Sequence, residues 1–245
     1  MLKQFVATEN YQRFVAGIQA TEARGAAEAG ILLVYGAPGR GKTHVVEHWV
    51  DKNDAIFLRA NVDWTPKYFL VELCKVLGVD PKGHAQSLFE RCLEVVIDRQ
   101  KPLVIDEAEH CLTRNAAVFE KIRDITDRAE ITTVCIGMDK ILREIAKFKQ
   151  IHSRIARVVE FKALSEEDVS LACQKLSEVV ITPGLAAEVH RLCSGRMREV
   201  LNIIASIERA AKMNGLATVD VKDMQGVALS YDWNAKKHTT VKKAV

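Results

Sequence analysis

The sequence predicts an α/β fold: a parallel β-sheet with crossover helices on both faces, followed by a small all-helical bundle. Two observations support this prediction. Short apolar runs rich in β-branched residues alternate with helical patterns as far as Phe161, a rhythm typical of βαβ units. After Phe161 the strand patterns stop and helix starts take their place. The predicted strands are Ile31–Tyr35, Ala55–Ala60, Leu103–Ile105, Ile131–Ile136 and Arg157–Phe161.

The predicted helices lie between these strands and after the last of them. Those between the strands are Lys42–Val50, Lys67–Leu77, Gln86–Asp98, Ala108–Arg128 and Lys140–Phe148. In the bundle, Ser165 and Thr182 stand where N-caps are expected, each just ahead of a helical pattern. A longer helix covers about Met197–Met213, and a last short one covers Thr218–Leu229.

These elements define a domain organisation with one main boundary near Ala163. We expect residues 1–162 to form the α/β core, with 1–30 as a helical leader. Residues 163–230 would form the helical lid, and residues 231–245 a basic, flexible tail.

Charge is concentrated at the end of the chain. The net charge is +3, but the last 13 residues hold four lysines and no acid, and without those four lysines 31 basic residues face 32 acidic ones. The body is therefore not a generally basic nucleic-acid binder, and any DNA contact would come from a local stripe or from the tail. A short basic tail is more often simply a solvated end.

Two further features of composition bear on location. The chain has no run of about 18 apolar residues, which predicts no membrane span. Its six cysteines are scattered singly, without the C-x-x-C spacing of a metal site. Reduced thiols in the core of a cytoplasmic protein are the expected reading.

A glycine-rich loop follows the first predicted strand and precedes a helix. Its glycines let the backbone curl so that N–H groups point at phosphate oxygens, its lysine reaches the β- and γ-phosphates, and its hydroxyl serves Mg²⁺. This pattern predicts a binding site for ATP and Mg²⁺. The predicted nucleotide-binding residues are Gly36, Ala37, Pro38, Gly39, Arg40, Gly41, Lys42, Thr43 and His44.

Two acids end the strand Leu103–Ile105. Asp106 would hold Mg²⁺ together with Thr43, and Glu107 would polarise the attacking water as a general base. Two solvated acids at a strand end are the ordinary alternative, but the phosphate loop in the same chain favours the catalytic interpretation.

Two arginines are candidates for contacting the γ-phosphate. Arg154 lies just before the last strand, where it could reach a neighbouring subunit's nucleotide, and Arg157 is the fallback. Such an arginine is worth about a thousandfold or more in rate. Arg198 follows Gly195 at the start of a helix, where it could swing back over the nucleotide. For each of these, an ordinary surface arginine is the alternative.

Taken in this order, the phosphate loop, the acid pair, Ser153-Arg154 and Gly195-x-x-Arg198 resemble the AAA+ superfamily over nearly the whole chain. They are similar to its Walker A, Walker B, arginine-finger and sensor 2 motifs. The resemblance implies a five-stranded sheet in the order 5-1-4-3-2 with a helical lid.

Within that superfamily the chain is most similar to the transposition ATPases, the group of the phage Mu B protein and the TniB and TnsC proteins of transposons. Three features support this similarity: the leader Phe5–Asn10 before the phosphate loop, the segment Val104–His110, and a chain that ends soon after the lid. The resemblance places Asn10, with Val6, near adenine.

What this resemblance implies is an ATP-dependent protein that assembles as rings or helical filaments on duplex DNA. It would deliver target DNA to a transposase, whose contact stimulates ATP hydrolysis. Backbone contacts to DNA without base readout would come from elements near the second and third strands. The candidates are Thr65, Lys67, Arg91, Arg114 and Lys121.

The chain departs from this group in two respects. Only about 30 residues precede the first strand, too few for the separate DNA-binding domain of the Mu protein. The usual polar sensor 1 residue is unclear in Cys135–Asp139, since an acid such as Asp139 would repel a γ-phosphate. A slow, partner-stimulated ATPase is expected.

Two other functions fit the same motifs. One is a secretion-associated ATPase of the ExeA type, although such proteins usually carry a membrane span. The other is a clamp-loader-like or non-hydrolysing scaffold acting on a protein partner, which an intact Glu107 and Arg154 argue against.

Overall fold

The computed structural model describes residues 1–232 and 237–240, with side chains described through Leu229. The chain divides into two compact units. One contains Arg13–Ala37 and Lys42–Phe161, and we call it the sheet unit. The other contains Met1–Gln12, Pro38–Gly41 and the chain from Lys162 onward, and we call it the helical unit. The domain boundaries expected from the sequence stay predictions.

The sheet unit is built on five parallel strands. They are β1 (Ile31–Tyr35), β2 (Ile56–Arg59), β3 (Leu103–Asp106), β4 (Thr133–Gly137) and β5 (Ile155–Glu160). Their order is β2-β3-β4-β1-β5, and every neighbouring pair is parallel. The predicted strand order, read from the opposite edge, is confirmed.

The strand sequences explain this placement. β1 and β3 are apolar almost throughout and are buried along nearly their whole length, as expected for strands covered by helices on both faces. β5, at one edge of the sheet, is mostly exposed or half-buried. Because all five strands are parallel, their carboxyl ends meet at one edge, where ligands bind in open α/β sheets.

Helices pack around this sheet. They are the part of α1 (Glu9–Glu22) from Arg13, α2 (Lys42–Asn53), α3 (Pro66–Leu77), α4 (Ala85–Arg99), α5 (Thr113–Ala129), α6 (Ile141–Ile145) and α7 (Lys149–His152). Helices α3 to α7 and the strands share one core that includes Trp64, Phe69 and Phe119, each almost completely buried. Phe14 of α1 and Trp49 of α2 are also buried, and their rings are in edge contact.

Two predicted helices are interrupted. Ala108–Arg128 is a 3₁₀ turn at Ala108–Leu112 followed by α5, and the backbone is left-handed at Arg114, Asn115 and Ala116. Left-handed residues cannot continue a right-handed helix, but they leave the apolar spacing intact. Within the predicted Lys140–Phe148 only Ile141–Ile145 is helical, as α6, and α7 begins just beyond that range at Lys149.

The helical unit contains α8 (Glu166–Leu176), α9 (Pro183–Cys193) and α10 (Met197–Met213) around a second core. The two predicted caps are present: Ser165 Oγ accepts the Asp168 N–H at 3.2 Å and Thr182 Oγ1 accepts the Leu185 N–H at 3.4 Å. Such a cap stabilises a helix by about 1 kcal/mol.

The helix predicted over Thr218–Leu229 is absent from the described residues. The segment forms β7 (Thr218–Val219), which pairs with β6 (Val180–Ile181), then a 3₁₀ turn at Val221–Met224 and the start of β8 (Ala228–Asp232). Gly226 has a φ of 78°, a left-handed conformation that a right-handed helix cannot include.

Part of the expected tail, residues 231–245, is ordered in a strand. β9 (Lys237–Thr240) pairs antiparallel with β8. Residues 233–236 and 241–245, which include three of the four tail lysines, lie outside the described residues. Flexibility of the tail therefore stays a prediction.

All six cysteines are free and buried, as the scattered spacing predicts. Burial raises the pKa of Cys135 and of Cys173 to about 12. These thiols are core residues without thiolate reactivity at neutral pH.

Candidate nucleotide-binding site

The loop after β1 has the geometry that phosphate binding requires. It begins at Gly36, where an added Cβ would lie 2.6 Å from the Phe161 carbonyl oxygen, so only glycine fits. α2 begins at Lys42, so the amino end of this helix adjoins the loop and supplies N–H groups and a favourable dipole for an anion. Lys42 Nζ donates to the Gly36 and Ala37 carbonyl oxygens, the latter at 3.1 Å.

The two residues expected to hold magnesium are in direct contact. Thr43 Oγ1 donates a hydrogen bond to Asp106 Oδ2 at 3.0 Å, and Asp106 is only 3% exposed. Hydroxyl and carboxylate oxygens are hard donors that suit Mg²⁺. Within the described residues no group of three or more His, Cys, Asp or Glu side chains could hold a metal ion. A magnesium ion here would thus take its remaining ligands from water and nucleotide phosphates, as is usual for this ion.

Glu107 differs from its neighbour in both backbone and exposure. Its φ and ψ are 55° and 37°, in the left-handed region, and half of its side chain is exposed. A non-glycine residue in this region carries strain that is often found at functional positions. Its N–H donates to Asp106 Oδ1 at 2.9 Å. Its carboxylate is accessible to a water molecule, and the carboxylate oxygen Oε2 lies 3.6 Å from His110 Nε2.

Arg59 at the end of β2 completes the surroundings of Asp106. Its Nε donates to Asp106 Oδ2 at 3.2 Å and its Nη2 donates to Glu47 Oε1 on α2, also at 3.2 Å. Neither residue was among the sequence-based candidates. A signal was available, because the order of the sheet puts the end of β2 beside the end of β3, where Arg59 is in register with Asp106.

Arg154 and Arg157 lie at the edge of the sheet formed by β5. Arg154 is one residue ahead of the strand, and its Nε donates to Asp127 Oδ2 on α5 at 3.0 Å. Arg157 is exposed on the strand itself. Arg154 is thus ion-paired with a residue of its own chain. Its role toward a neighbouring nucleotide stays a prediction.

The tip of the phosphate loop, Pro38–Gly41, is bonded to the turn before α10. The Arg198 N–H donates to the Gly39 carbonyl oxygen at 3.2 Å. Arg40 Nη1 donates to the Ser194 carbonyl oxygen at 3.0 Å and to that of Gly195. Arg198 is therefore beside the loop tip, whereas the side chain of Arg40 is bonded to the turn before α10 and only its backbone N–H is suited to a phosphate. A contact of Arg198 with the nucleotide stays a prediction.

Asn10 and His44 have separate surroundings. The Asn10 carboxamide is 1% exposed and is bonded twice to the Lys162 backbone, donating to its oxygen at 2.9 Å and accepting from its nitrogen at 3.0 Å. Val6 belongs to the core of the same unit. His44 is exposed in the first turn of α2. Contacts of these residues with adenine or phosphate stay predictions.

The carboxyl ends of β1, β4 and β5 carry further polar groups. Burial raises the pKa of Tyr35, and the charges of Glu160 and Asp139 raise it further. Asp139 is exposed two residues beyond β4. Tyr35 is therefore neutral at physiological pH and can serve as a hydrogen-bond donor there.

The five candidate DNA contacts divide into two groups. Thr65 caps α3, Arg91 is bonded to the Asp80 and Lys82 carbonyl oxygens, and Lys121 pairs with Asp124. These three already have structural roles in the sheet unit. Lys67 and Arg114 are exposed, the first in the first turn of α3 and the second in the left-handed segment of α5, and remain the better candidates.

Comparison with known proteins places the phosphate loop and the acid pair in one domain. The sequence family described as AAA domain matches residues 25–145. A potential ATP-binding protein of Staphylococcus aureus is 22% identical over 180 residues, which cover 69% of this chain and 61% of that protein.

Three solved structures share the fold. Cdc6p from Pyrobaculum aerophilum has a TM-score of 0.65 at 15% identity and 90% coverage of this chain. The Aeropyrum pernix ORC2 protein, in ADPNP and ADP complexes, has a TM-score of 0.67 at 13% identity and 85% coverage. The Aeropyrum pernix ORC1 protein in complex with DNA has a TM-score of 0.60 at 16% identity and 86% coverage.

This chain spans 61–65% of the length of these four relatives. Because the sequence identities to the solved structures are low, the structural likeness shows a shared fold and nothing beyond the fold. Among the described residues, no helix is both long enough and apolar enough to cross a membrane.

Proposed function

We propose that this chain, whose residues 25–145 match the family described as AAA domain, is an AAA+ ATPase that uses ATP to assemble on DNA. In this proposal it binds duplex DNA without sequence preference, as rings or helical filaments of identical subunits. It works in the cytoplasm and delivers target DNA to a transposase, and contact with that partner stimulates a slow ATP hydrolysis.

The observation that carries the hydrolytic part is the contact between Thr43 and Asp106 beside the phosphate loop. When bound, Mg²⁺ would neutralise charge on the β- and γ-phosphates. Lys42 and the loop N–H groups bind and orient the phosphates. Glu107, exposed next to the fixed Asp106 carboxylate, accepts a proton from the attacking water.

The assembly part is supported by the positions of two arginines. Arg154 lies at the open edge of the sheet, where a neighbouring subunit's nucleotide could recruit it. The Arg198 N–H is hydrogen-bonded to the Gly39 carbonyl oxygen at the loop tip, so a movement of the loop would move Arg198. A change of nucleotide could thus alter the contacts of Arg154 at a subunit edge and of Arg198 in the helical unit. Such changes would couple ATP binding to assembly.

The DNA part is supported by two exposed cations in helices that follow β2 and β3, Lys67 in α3 and Arg114 in α5. Isolated cations on a body without net positive charge bind DNA weakly. Repetition of the same pair around a ring or along a filament would add many weak phosphate contacts, which explains why binding should require assembly. One structural neighbour, the ORC1 protein, is itself in complex with DNA.

The test is nucleotide-dependent DNA binding, measured by fluorescence anisotropy at low salt with two unrelated duplexes. We expect equal binding to both duplexes with a non-hydrolysable ATP analogue and at least a tenfold weaker affinity with ADP. Lys42→Ala should abolish ATP binding and DNA binding together, because the lysine holds the phosphates.

The matched control is Lys52→Ala, which removes an exposed lysine from the other end of the same helix and should change neither affinity. DNA affinity that is unchanged in Lys42→Ala would refute the coupling. Absence of DNA binding in every nucleotide state would leave an ATPase that acts on a protein partner.

A further inference from the structure

Asp106 shares one carboxylate oxygen between two donors from different elements. Its Oδ2 accepts from Thr43 Oγ1 at 3.0 Å and from Arg59 Nε at 3.2 Å. The guanidinium of Arg59 therefore lies directly against the oxygen pair that would hold magnesium. A fixed cation at a cation site is unexpected if the residues served only to bind metal.

Arg59 is also held from its other side. Its Nη2 donates to Glu47 Oε1 at 3.2 Å, and Glu47 belongs to α2, the helix that follows the phosphate loop. The guanidinium thus bridges this helix and the end of β3. Anchors on two of its nitrogens fix the orientation of the planar guanidinium better than a single pair would.

The electrostatic consequence can be given a magnitude. Half of the Arg59 side chain is exposed, so its field is screened nearly as in water. At about 6 Å in a water-like dielectric, a unit positive charge weakens the binding of a divalent cation roughly tenfold. The triphosphate of ATP carries several negative charges, which more than offset one arginine when metal and nucleotide enter together.

We propose that Arg59 is a specificity-determining residue of the metal site, which weakens the binding of a free divalent cation at Asp106 and so favours entry of the metal together with nucleotide phosphates. The inference rests on the proposed function in taking Thr43 and Asp106 as the metal site. It adds a preference: bare metal is disfavoured, and the metal–nucleotide complex is the form that fills the site.

The test measures Mn²⁺, as a paramagnetic substitute for Mg²⁺, by electron paramagnetic resonance on the nucleotide-free protein. Arg59→Gln should bind Mn²⁺ roughly tenfold more tightly than the unmodified chain, since the repelling charge is gone. The gain should vanish when Asp106→Asn is added. Arg59→Lys, which keeps the charge but not the fork, should stay close to the unmodified affinity.

Two controls separate a local effect from a general one. Arg143→Gln removes the same charge from an exposed position on α6 and should leave Mn²⁺ affinity unchanged. Arg59→Met gives a second neutral side chain in case Arg59→Gln does not fold. Unchanged or weaker Mn²⁺ binding in the folded neutral variants would overturn the proposal, as would an equal gain in Arg143→Gln.

A parallel Mn²⁺ titration with a non-hydrolysable ATP analogue distinguishes failure of the proposed metal site from failure of the role of Arg59. If the unmodified chain takes up Mn²⁺ with the analogue and loses it in Asp106→Asn, the metal site stands and only the role of Arg59 is in question. If it takes up none, the metal site itself is refuted.

Discussion

At the scale of single residues, the neighbouring acids Asp106 and Glu107 have opposite surroundings. The Asp106 carboxylate is buried and accepts hydrogen bonds from Thr43, Arg59 and the Glu107 N–H. Glu107 is in a left-handed conformation with an accessible side chain. An acid fixed in this way suits metal positioning, whereas an exposed one beside it can reach a water molecule. The backbone at Glu107 produces the difference.

The role of Glu107 is tested by Glu107→Gln. We expect kcat to fall by roughly 10²–10⁴-fold, the usual contribution of a general base, while ATP affinity changes little because the amide keeps the shape. DNA-bound assemblies should then persist in ATP. Steady-state hydrolysis and ATP binding are measured side by side, with Glu144→Gln on α6 as the matched control. Rapid turnover in Glu107→Gln would exclude it as the base.

At the scale of elements, the turn before α10 depends on Gly195. Its φ is 65°, and an added Cβ would lie 2.6 Å from Ala163 Cβ and 2.9 Å from Arg40 Nη1. The glycine therefore permits both the left-handed turn and the close approach of Arg40 to the turn. Through Arg40 and the Arg198–Gly39 bond, this turn is joined to the tip of the phosphate loop.

Gly195→Ala should consequently lower both stability and ATP affinity. We expect the free energy of unfolding to fall by about 1–3 kcal/mol, from the left-handed backbone and from the contact. Gly215→Ala is the control, because its φ is 64° but an added Cβ there meets nothing within 4 Å. It should bear only the backbone cost and keep its ATP affinity. Equal losses in the two variants, by urea unfolding and nucleotide titration, would contradict this account.

Much at this scale could be predicted from the sequence. The start of α2 at Lys42, the caps at Ser165 and Thr182 and the extent of α10 follow from apolar spacing and cap residues. The strand order is the one that the resemblance to the AAA+ superfamily implies. The phosphate-loop and acid-pair motifs predict that Thr43 and Asp106 share a magnesium ion, and the two side chains are hydrogen-bonded.

Other features could not be predicted, for reasons that lie in the backbone and in long-range pairing. Left-handed residues at Arg114–Ala116 interrupt a helix without changing its apolar spacing. The pairing of Arg154 with Asp127 joins residues 27 positions apart, and nothing local marks it. Pairing of Thr218–Val219 with Val180–Ile181 likewise overrides a short helical pattern. Of the site residues that were not among the sequence-based candidates, Arg59 could have been identified, because the strand order puts it in register with Asp106.

At the scale of the whole molecule, we propose that the site is one half of an active centre that a neighbouring subunit completes. The arginine that would complete it, Arg154, is paired with Asp127 in its own subunit at 3.0 Å, with both side chains partly exposed. Such a pair is worth little energetically. A neighbouring γ-phosphate could therefore recruit this arginine from Asp127 at small cost.

Subunit mixing tests that arrangement. Arg154→Ala and Glu107→Gln should each be nearly inactive alone, yet their mixture should recover activity, because roughly a quarter of random head-to-tail interfaces would then pair an intact Glu107 with an intact Arg154. Arg157→Ala replaces Arg154→Ala in the comparison mixture. If Arg157→Ala is the inactive variant and its mixture with Glu107→Gln recovers activity, the role belongs to Arg157. If neither mixture recovers activity, a shared active centre is contradicted.

The most direct test of the central claim, that ATP binding drives assembly on DNA, is negative-stain electron microscopy with duplex DNA and a non-hydrolysable ATP analogue. The account predicts regular rings or filaments on the DNA in the analogue, and none in ADP or with Lys42→Ala. Isolated single subunits in the analogue, at concentrations where nucleotide binding is shown to be saturated, would contradict it.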